Sequence, residues 1–359
     1  MNAPDALTDD DRYAALVRRD ATHAGRWFVG VRTTGIFCRP GCPARPPLRE
    51  NCTFHPSAAA CLEAGYRPCK RCRPLDAPAQ TEAVVAALLD ELTADPTRRW
   101  TEADLRARGH DPSTVRRAFV RQYGLSFVRL ARLMRLRSGF ETLSRGQPVI
   151  RAQLDAGFDS ASGFRAAFAR LLGVAPGTLR VHAPLLAHWV DTPLGPMVAV
   201  ADAQALHLLE FADRPALAGE LQRLARRAGP VGVGRLAPHA QIGAELADYF
   251  AGRGAHFSTP LALHGTPFTR AVWAVLRTIP PGHTRSYAQV ARAVGRPTAV
   301  RAVARANGAN QIAIVVPCHR VIGSDGALAG YGGGVWRKRQ LIELEHHYAA
   351  AGQTPGALR

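Results

Sequence analysis

The stretch Ile314-Val315-Val316-Pro317-Cys318-His319-Arg320-Val321 sets a solitary cysteine beside a histidine, behind an apolar run that starts at Ile312. Residues 312–316 predict a buried strand, Pro317 ends it, and the turn that follows delivers Cys318 and His319 together. Nucleophilic thiol chemistry needs that arrangement, because a nearby base lowers the cost of forming a thiolate. On the dipeptide alone, a core cysteine with a chance histidine neighbour explains the pair as well. The upstream segment decides against it. A helix expected at 298–309 carries Arg301 and Arg305 among Ala302, Ala304, Ala306, Gly308 and Ala309, a surface small enough to enter a narrow groove of nucleic acid. An arginine on such a helix can also fill the gap left in a base stack when a nucleotide is extruded.

Around this segment, helices are expected at 268–277 and 287–293, with Ser286 capping the second and Thr298 capping the arginine helix. A closing helix is expected at 335–348. Between 186 and 211 apolar positions alternate, with turns at 193–196 and 201–203, which predicts antiparallel strands. A polar helix follows at 217–228. Residues 81–182 read as helical and contain a repeat: Arg116, Phe119, Arg121 and Gly124 return as Arg165, Phe168, Arg170 and Gly173, an offset of 49 residues. Each copy is a turn, a helix with apolar residues inward and arginines outward, and a glycine stop, which is helix-turn-helix patterning. Arg116, Arg117, Arg121 and Arg165 are its candidate DNA contacts. An ordinary bundle with a solvated basic face is the alternative; the duplication and the basic surroundings favour DNA.

The N-terminal 76 residues are rich in Arg, Pro and Cys and show little periodicity, as expected of a small module held by a metal. A linker is expected at 75–80. Cys38 and Cys42, then Cys69 and Cys72, form two close pairs separated by 26 residues. Such pairs on tight turns, here at Pro40 and Gly41, place four thiolates tetrahedrally around zinc. Cys52 and Cys61 lie in no close pair and are expected to pack in the core. The formal net charge of +18, from 46 Lys plus Arg against 28 acids over 359 residues, points to a polyanionic partner. The arginines are spread over many segments and no apolar stretch is long enough to span a bilayer, which weighs against a membrane surface. The acidic start, residues 1–13, lacks the features of a secretory signal, so a cytoplasmic location and reduced cysteines are expected.

With these motifs in place, the chain resembles the Ada family of bacterial adaptive-response proteins, which join an alkyltransferase to a transcription factor. Residues 32–40 and 67–72 are similar to the family's zinc module, and the repeat resembles an AraC-type pair of helix-turn-helix units. The run from Ile314 to Val321, followed by Tyr331, Arg337 and Lys338, is similar to the active-site signature of O6-alkylguanine-DNA alkyltransferases. The resemblance implies a multidomain α+β fold: a zinc-binding methylphosphotriester acceptor (1–76), an all-α helix-turn-helix domain (77–182), a ribonuclease-H-like lobe (183–263), a winged-helix-like active-site lobe (264–350) and a tail (351–359).

It also implies roles. Cys318 would accept alkyl groups irreversibly from O6 of guanine and O4 of thymine, activated through a water by His319, which Glu345 orients. Asn310 would be the hinge behind the recognition helix, Arg301 the finger replacing the flipped base, and Tyr287 the residue that rotates the nucleotide and protonates guanine at N3. Cys38 would take methyl from phosphotriesters beside Arg45, Arg67 and Arg71. The implied partners are alkylated and promoter double-stranded DNA and RNA polymerase, with zinc the only cofactor and a monomer as the working form. His110 and Asp111 at the first helix-turn-helix turn, and Phe127 where such repeats commonly place proline, depart from the pattern. Two other readings are a zinc-containing regulator that only binds DNA and a thiol hydrolase. The first has no use for Cys318, His319, Asn310 and Glu345 together; the second has none for the arginine helix.

Overall fold

The computed structural model describes residues 7–20, 23, 26–72, 74, 78–179, 182–328 and 330–350. It divides into two compact units, Met1–Leu89 and Asp90–Arg359. The expected tail at 351–359 and linker residues 75–77 lie outside the described residues.

In the first unit, helix α1 (Asp9–Val17) starts on a capping box in which Thr8 and Asp11 exchange hydrogen bonds. Strands β1 (Phe28–Val31), β2 (Ile36–Cys38) and β3 (Cys52–His55), helix α2 (Ala58–Glu63) and strand β4 (Arg67–Pro68) follow. The sheet order is β3-β1-β2-β4. No sequence alternation announces these strands, since each is too short, at two to four residues, to display a period. Trp27, Val29 and the buried sulfurs of Cys38, Cys42, Cys52 and Cys69 form one small core; Cys61 packs with Phe28 and Phe37 in another. Cys52 and Cys61 are thus packing residues. Helix α3 (Pro78–Ala94) begins inside the expected linker, because proline at a first helical position already has the required φ and lacks only an N–H that would be unpaired there.

The second unit contains both helix-turn-helix copies. Helices α4 (Glu102–Ala107) and α5 (Pro112–Tyr123) form the first, α6 (Phe127–Ser144) connects them, and α7 (Val149–Asp155) with α8 (Ala161–Leu172) form the second. The repeat extends to the caps: Asp111 and Ser160 each cap their second helix, and Gly124 and Gly173 end it with φ of 69° and 75°. Val115, Phe119, Phe164 and Phe168 are buried, while Arg116, Arg117, Arg121 and Arg165 are exposed. Asp111 and Pro112 therefore start a helix in ordinary fashion, and Phe127 is buried against Trp100 and Phe119.

Strands β5 (Leu185–Val190), β6 (Met197–Ala201) and β7 (Leu206–Phe211), helix α9 (Leu217–Ala228), strand β8 (Val231–Val233) and helix α10 (Ala237–Phe250) build the next lobe. Its sheet order is β7-β6-β5-β8, antiparallel except that β8 runs parallel to β5. Every residue of β6 and β7 is buried. Helices α11 (Pro267–Arg277), α12 (Tyr287–Ala293), α13 (Val300–Gly308) and α14 (Val335–Ala350), with the short parallel pair β9 (Arg285–Ser286) and β10 (Val321–Ile322), complete the unit. One core runs through both lobes, from Met197 and Leu209 to Trp273, Val303 and the run from Ile312 to Val316.

Two expectations are corrected here. Ser286 caps α12 as expected, but the N-cap of α13 is Ala299 without a side-chain bond. Thr298 is spent in a preceding turn, closed by Ala299 N–H to Arg296 O at 2.9 Å, so the arginine helix starts two residues late. Residues 312–316 form no strand. Val316 N–H bonds back to Ile312 O at 3.0 Å and Val315 N–H to Ala313 O at 2.9 Å, and Ile314 has φ of 71°. The run is buried as a strand would be, but it turns on itself, leaving a single bridge to Leu209.

Candidate active site and metal centre

The turned run has a physical basis in Asn310. Its Oδ1 accepts from Ile312 N–H at 3.0 Å, and its Nδ2 donates to Val316 O at 2.8 Å and to Ile312 O at 3.3 Å. One buried amide thus satisfies backbone groups that a strand would have paired with neighbours. The same Nδ2 lies 3.0 Å from Cys318 Sγ and donates to it. A left-handed conformation at a β-branched residue costs free energy, and this network together with burial holds Ile314 there.

Cys318 is buried, which pushes its thiol up to about 11; Glu210 adds to the rise, while the Asn310 bond and the charges of Arg214 and Lys338 oppose it. The resting group is a thiol, so transfer needs a base. His319 is wholly buried, and burial holds it below its ordinary value against the pull of Glu345. It is therefore neutral, and its Nε2–H donates to Glu345 Oε1 at 2.8 Å. Nδ1 is left as the basic nitrogen, with no hydrogen-bond partner among the described residues.

Glu345 is the hub. It accepts from Arg320 Nε and Nη2, each at 2.8 Å, and from Tyr249 Oη at 2.8 Å. Burial opposes its ionisation, but His319 and the two-pronged Arg320 outweigh this and hold the carboxyl well below the usual range. Lys338, buried below β10, is pushed down to about 8 by burial and donates to Val321 O.

Cys318 opens into a cavity of about 410 Å³ lined by Tyr287, Ala304, Asn307, Asn310, Tyr331 and Gly332, among others. Tyr331 Oη is buried there without a partner among the described residues. Of the residues expected at the site, Cys318, Asn310 and Tyr287 meet at this cavity, and His319 with Glu345 stands behind the cysteine. Arg301 and Arg305 are exposed on α13 and lie outside the lining, whereas Ala304 and Gly308 of the same helix belong to it. Sequence reasoning missed five contributors. Asn307 donates to Cys318 O at 3.3 Å; Arg320 was quoted in the motif without a task; Tyr249, 96 residues from Glu345, carries no local signal; and Glu210 with Arg214 enters the cavity from the strand lobe.

In the first unit, the sulfurs of Cys38, Cys42, Cys69 and Cys72 all lie within 4.8 Å of one another. Cys38 closes β2 and Cys42 follows a turn at Gly41, φ 79°. Cys69 N–H bonds to Phe37 O at 3.0 Å, and Arg39 Nε donates to Cys72 O at 2.8 Å, so one backbone bond and one side chain tie the second pair to the first. Hydrogen bonds with Cys42 and Cys72 push the Cys38 thiol far up, while Cys38 and Cys72 hold Cys42 far down. A divalent cation removes this competition by taking all four as thiolates. Zinc–sulfur bonds of about 2.3 Å in a tetrahedron need sulfurs about 3.8 Å apart, and this cluster fits. Arg45, Arg67 and Arg71 line a cavity of about 820 Å³, and the buried Cys38, Cys42 and Cys69 also contribute to its wall.

A four-cysteine cluster suited to a metal, a doubled helix-turn-helix and a buried cysteine next to a hydrogen-bonded His–Glu pair define a multidomain DNA-binding protein with thiol chemistry. Three family models match: the metal-binding domain of Ada over residues 11–75, a helix-turn-helix domain over 106–182, and the DNA-binding domain of 6-O-methylguanine DNA methyltransferase over 267–347. The chain is 37% identical over 354 residues to the bifunctional transcriptional activator/DNA repair enzyme Ada of Escherichia coli, covering 96% of this chain and 98% of that one. It is 36% identical to the regulatory protein ada of Salmonella typhimurium, over 94% and 97% of the two chains. A methylated-DNA--protein-cysteine methyltransferase of Mycobacterium leprae is 44% identical over 161 residues, 44% of this chain and 90% of that one. This chain belongs to the Ada family. No helix among the described residues is long and apolar enough to cross a membrane.

Proposed function

We propose that this Ada-family chain carries out alkyl repair and its own induction through two cysteines, Cys318 and Cys38. The observation that carries the first part is Cys318 Sγ under Asn310, at a cavity beside an exposed small-residue helix, with a neutral His319 fixed by Glu345. The Cys318 proton passes through one water to His319 Nδ1. The sulfur then attacks the alkyl carbon on O6 of guanine, or O4 of thymine. A carbon–sulfur bond forms, the carbon–oxygen bond breaks, and its electron pair returns to the base, which Tyr287 protonates at N3 when it is guanine. Arg301, on the outer face of α13, takes the place of the extruded nucleotide. The thioether product has no route back, so each Cys318 acts once.

At the first unit, Cys38, Cys42, Cys69 and Cys72 would hold zinc, which when bound would leave the four thiolates soft and electron-rich, with a net charge of about minus two. Cys38 takes methyl from a phosphotriester while Arg45, Arg67 and Arg71 hold the backbone. The site loses one negative charge, and affinity for promoter DNA rises. Arg116, Arg117, Arg121 and Arg165 then read the promoter, and RNA polymerase is recruited by a monomer. In this assignment the phosphotriester acceptor occupies residues 1–76, the promoter reader 77–182, and the guanine repair lobes 183–263 and 264–350.

Peptide mass mapping after exposure to O6-methylguanine duplex is the direct test. The wild type gains one methyl on Cys318, and Cys318→Ala gains none while still binding DNA. Stoichiometric transfer by that variant overturns the assignment. For the second acceptor, Cys318→Ala is treated with methylphosphotriester DNA and its promoter affinity is measured at two ionic strengths. The expected gain shrinks as salt rises; equal affinity at low salt before and after methylation overturns the switch.

A further inference from the structure

Glu210, on β7, and Glu220, in the first turn of α9, are 2% and 3% exposed. Arg214 joins them from the segment between these elements. Its Nη1 pairs with Glu210 Oε2, and its Nη2 lies 3.1 Å from Glu220 Oε1. The same guanidinium donates across to the other lobe, from Nη2 to Gly308 O at 3.2 Å and from Nη1 to Asn310 O at 3.4 Å. These carbonyls stand at the C-terminal end of α13, where backbone acceptors lack helical partners and the helix dipole favours a cation. The loop after Tyr331 lies on the same group: a Cβ added to Gly332 would stand 2.8 Å from Arg214 Cζ. A side chain at this position would have to displace the guanidinium. Glu210, Arg214, Gly308, Asn310, Gly332 and Cys318 all line the one cavity.

We propose that Arg214 is a positioning residue for alkyl transfer, a clamp that ties the end of α13 and the loop at Gly332 to the strand lobe. Asn310 is the point of transmission. Its carbonyl rests on Arg214 and its amide on Cys318 Sγ, so releasing the carbonyl loosens the amide. Arg is required because its planar fork reaches two carbonyls and two carboxylates at once. The two glutamates keep it extended toward the cavity and away from phosphate. The inference rests on Cys318 being the acceptor.

The test uses the full chain and methylated duplex at saturating concentration, with single-turnover transfer and DNA affinity measured separately. Arg214→Met strands two buried carboxylates and can unfold the lobe, so the decisive variant is the triple Glu210→Gln, Arg214→Met, Glu220→Gln, which leaves no buried charge unpaired. It is expected to transfer at least about tenfold more slowly with DNA affinity within about twofold of wild type. Arg214→Lys keeps the charge without the fork and is expected to recover only part of the rate. A folded triple variant at wild-type rate overturns the clamp, and full recovery by lysine overturns it in favour of charge alone. Slowing that merely follows loss of folded protein or of DNA affinity also overturns it. No methyl on Cys318 of the wild type overturns the acceptor assignment and the clamp together, whereas normal wild-type labelling with an unchanged variant rate overturns the clamp alone.

Discussion

Glu345 binds three side chains from two distant segments, Tyr249 and the adjacent His319 and Arg320, and removing its charge leaves Arg320 buried without a counterion. Glu345→Gln is expected to cost about 3–5 kcal/mol at neutral pH, the range for breaking one partner of a buried pair. The pH dependence has a definite sign. The folded carboxyl sits below its unfolded value, so its stabilisation is complete above the unfolded value of about 4.3 and is lost as pH falls through the folded one. Urea unfolding at pH 7 and at pH 3 checks this: the gap between wild type and variant narrows in acid. Asn310→Ala removes the donor to Cys318 and the supports of the turned run, and slower transfer by about tenfold or more is expected in a single-turnover assay. Cys318, His319, Asn310 and Glu345 were legible as a set through their resemblance to known alkyltransferases. Arg320, Tyr249 and Arg214 were not, since a buried counterion is defined by a partner distant in sequence.

Among the elements, α13 and the glycine stops carry the sharpest expectations. Arg301 stands exposed on α13, clear of the cavity. Arg301→Ala should therefore slow repair in matched duplex more than in a mismatched site, where the nucleotide is already loosened; equal slowing would show a general structural role. Gly173 ends α8 at φ 75°, and a Cβ there would fall 2.6 Å from Ala218 O on α9. Gly173→Ala combines left-handed strain of about 1–2 kcal/mol with a backbone clash, and a total loss of about 2–4 kcal/mol is expected in a denaturant titration. Periodicity revealed the repeat because Gly124 and Gly173 perform the same task twice. It failed at residues 312–316, where burial on all sides looks the same in a strand and in a turned run, and at Thr298, where the one good capping side chain is taken up in the turn before the helix.

In the whole molecule, the first unit carries two small clusters, one of them built largely around sulfur, and the second unit carries a core that spans the strand and helical lobes. Cys69→Ser, or stripping the metal with a chelator, should unfold the first unit, since small metal-held modules take much of their folding free energy from the ion. Transfer to Cys318 should continue at the wild-type rate, as checked by circular dichroism and single-turnover labelling; parallel loss of both would show that the units are coupled. The fold class was legible through the family resemblance that the motifs carry, whereas the start of α3 at Pro78 was not, because Pro74 and Pro78 read as a linker. The placement of one proposed acceptor in each unit has a further consequence. Each molecule can be found in four states, and none of the marks is erased, so a population of these chains is a two-bit archive of the chemical exposure of its host. Base damage would be written in one digit and backbone damage in the other, and intact mass with peptide mapping would read both.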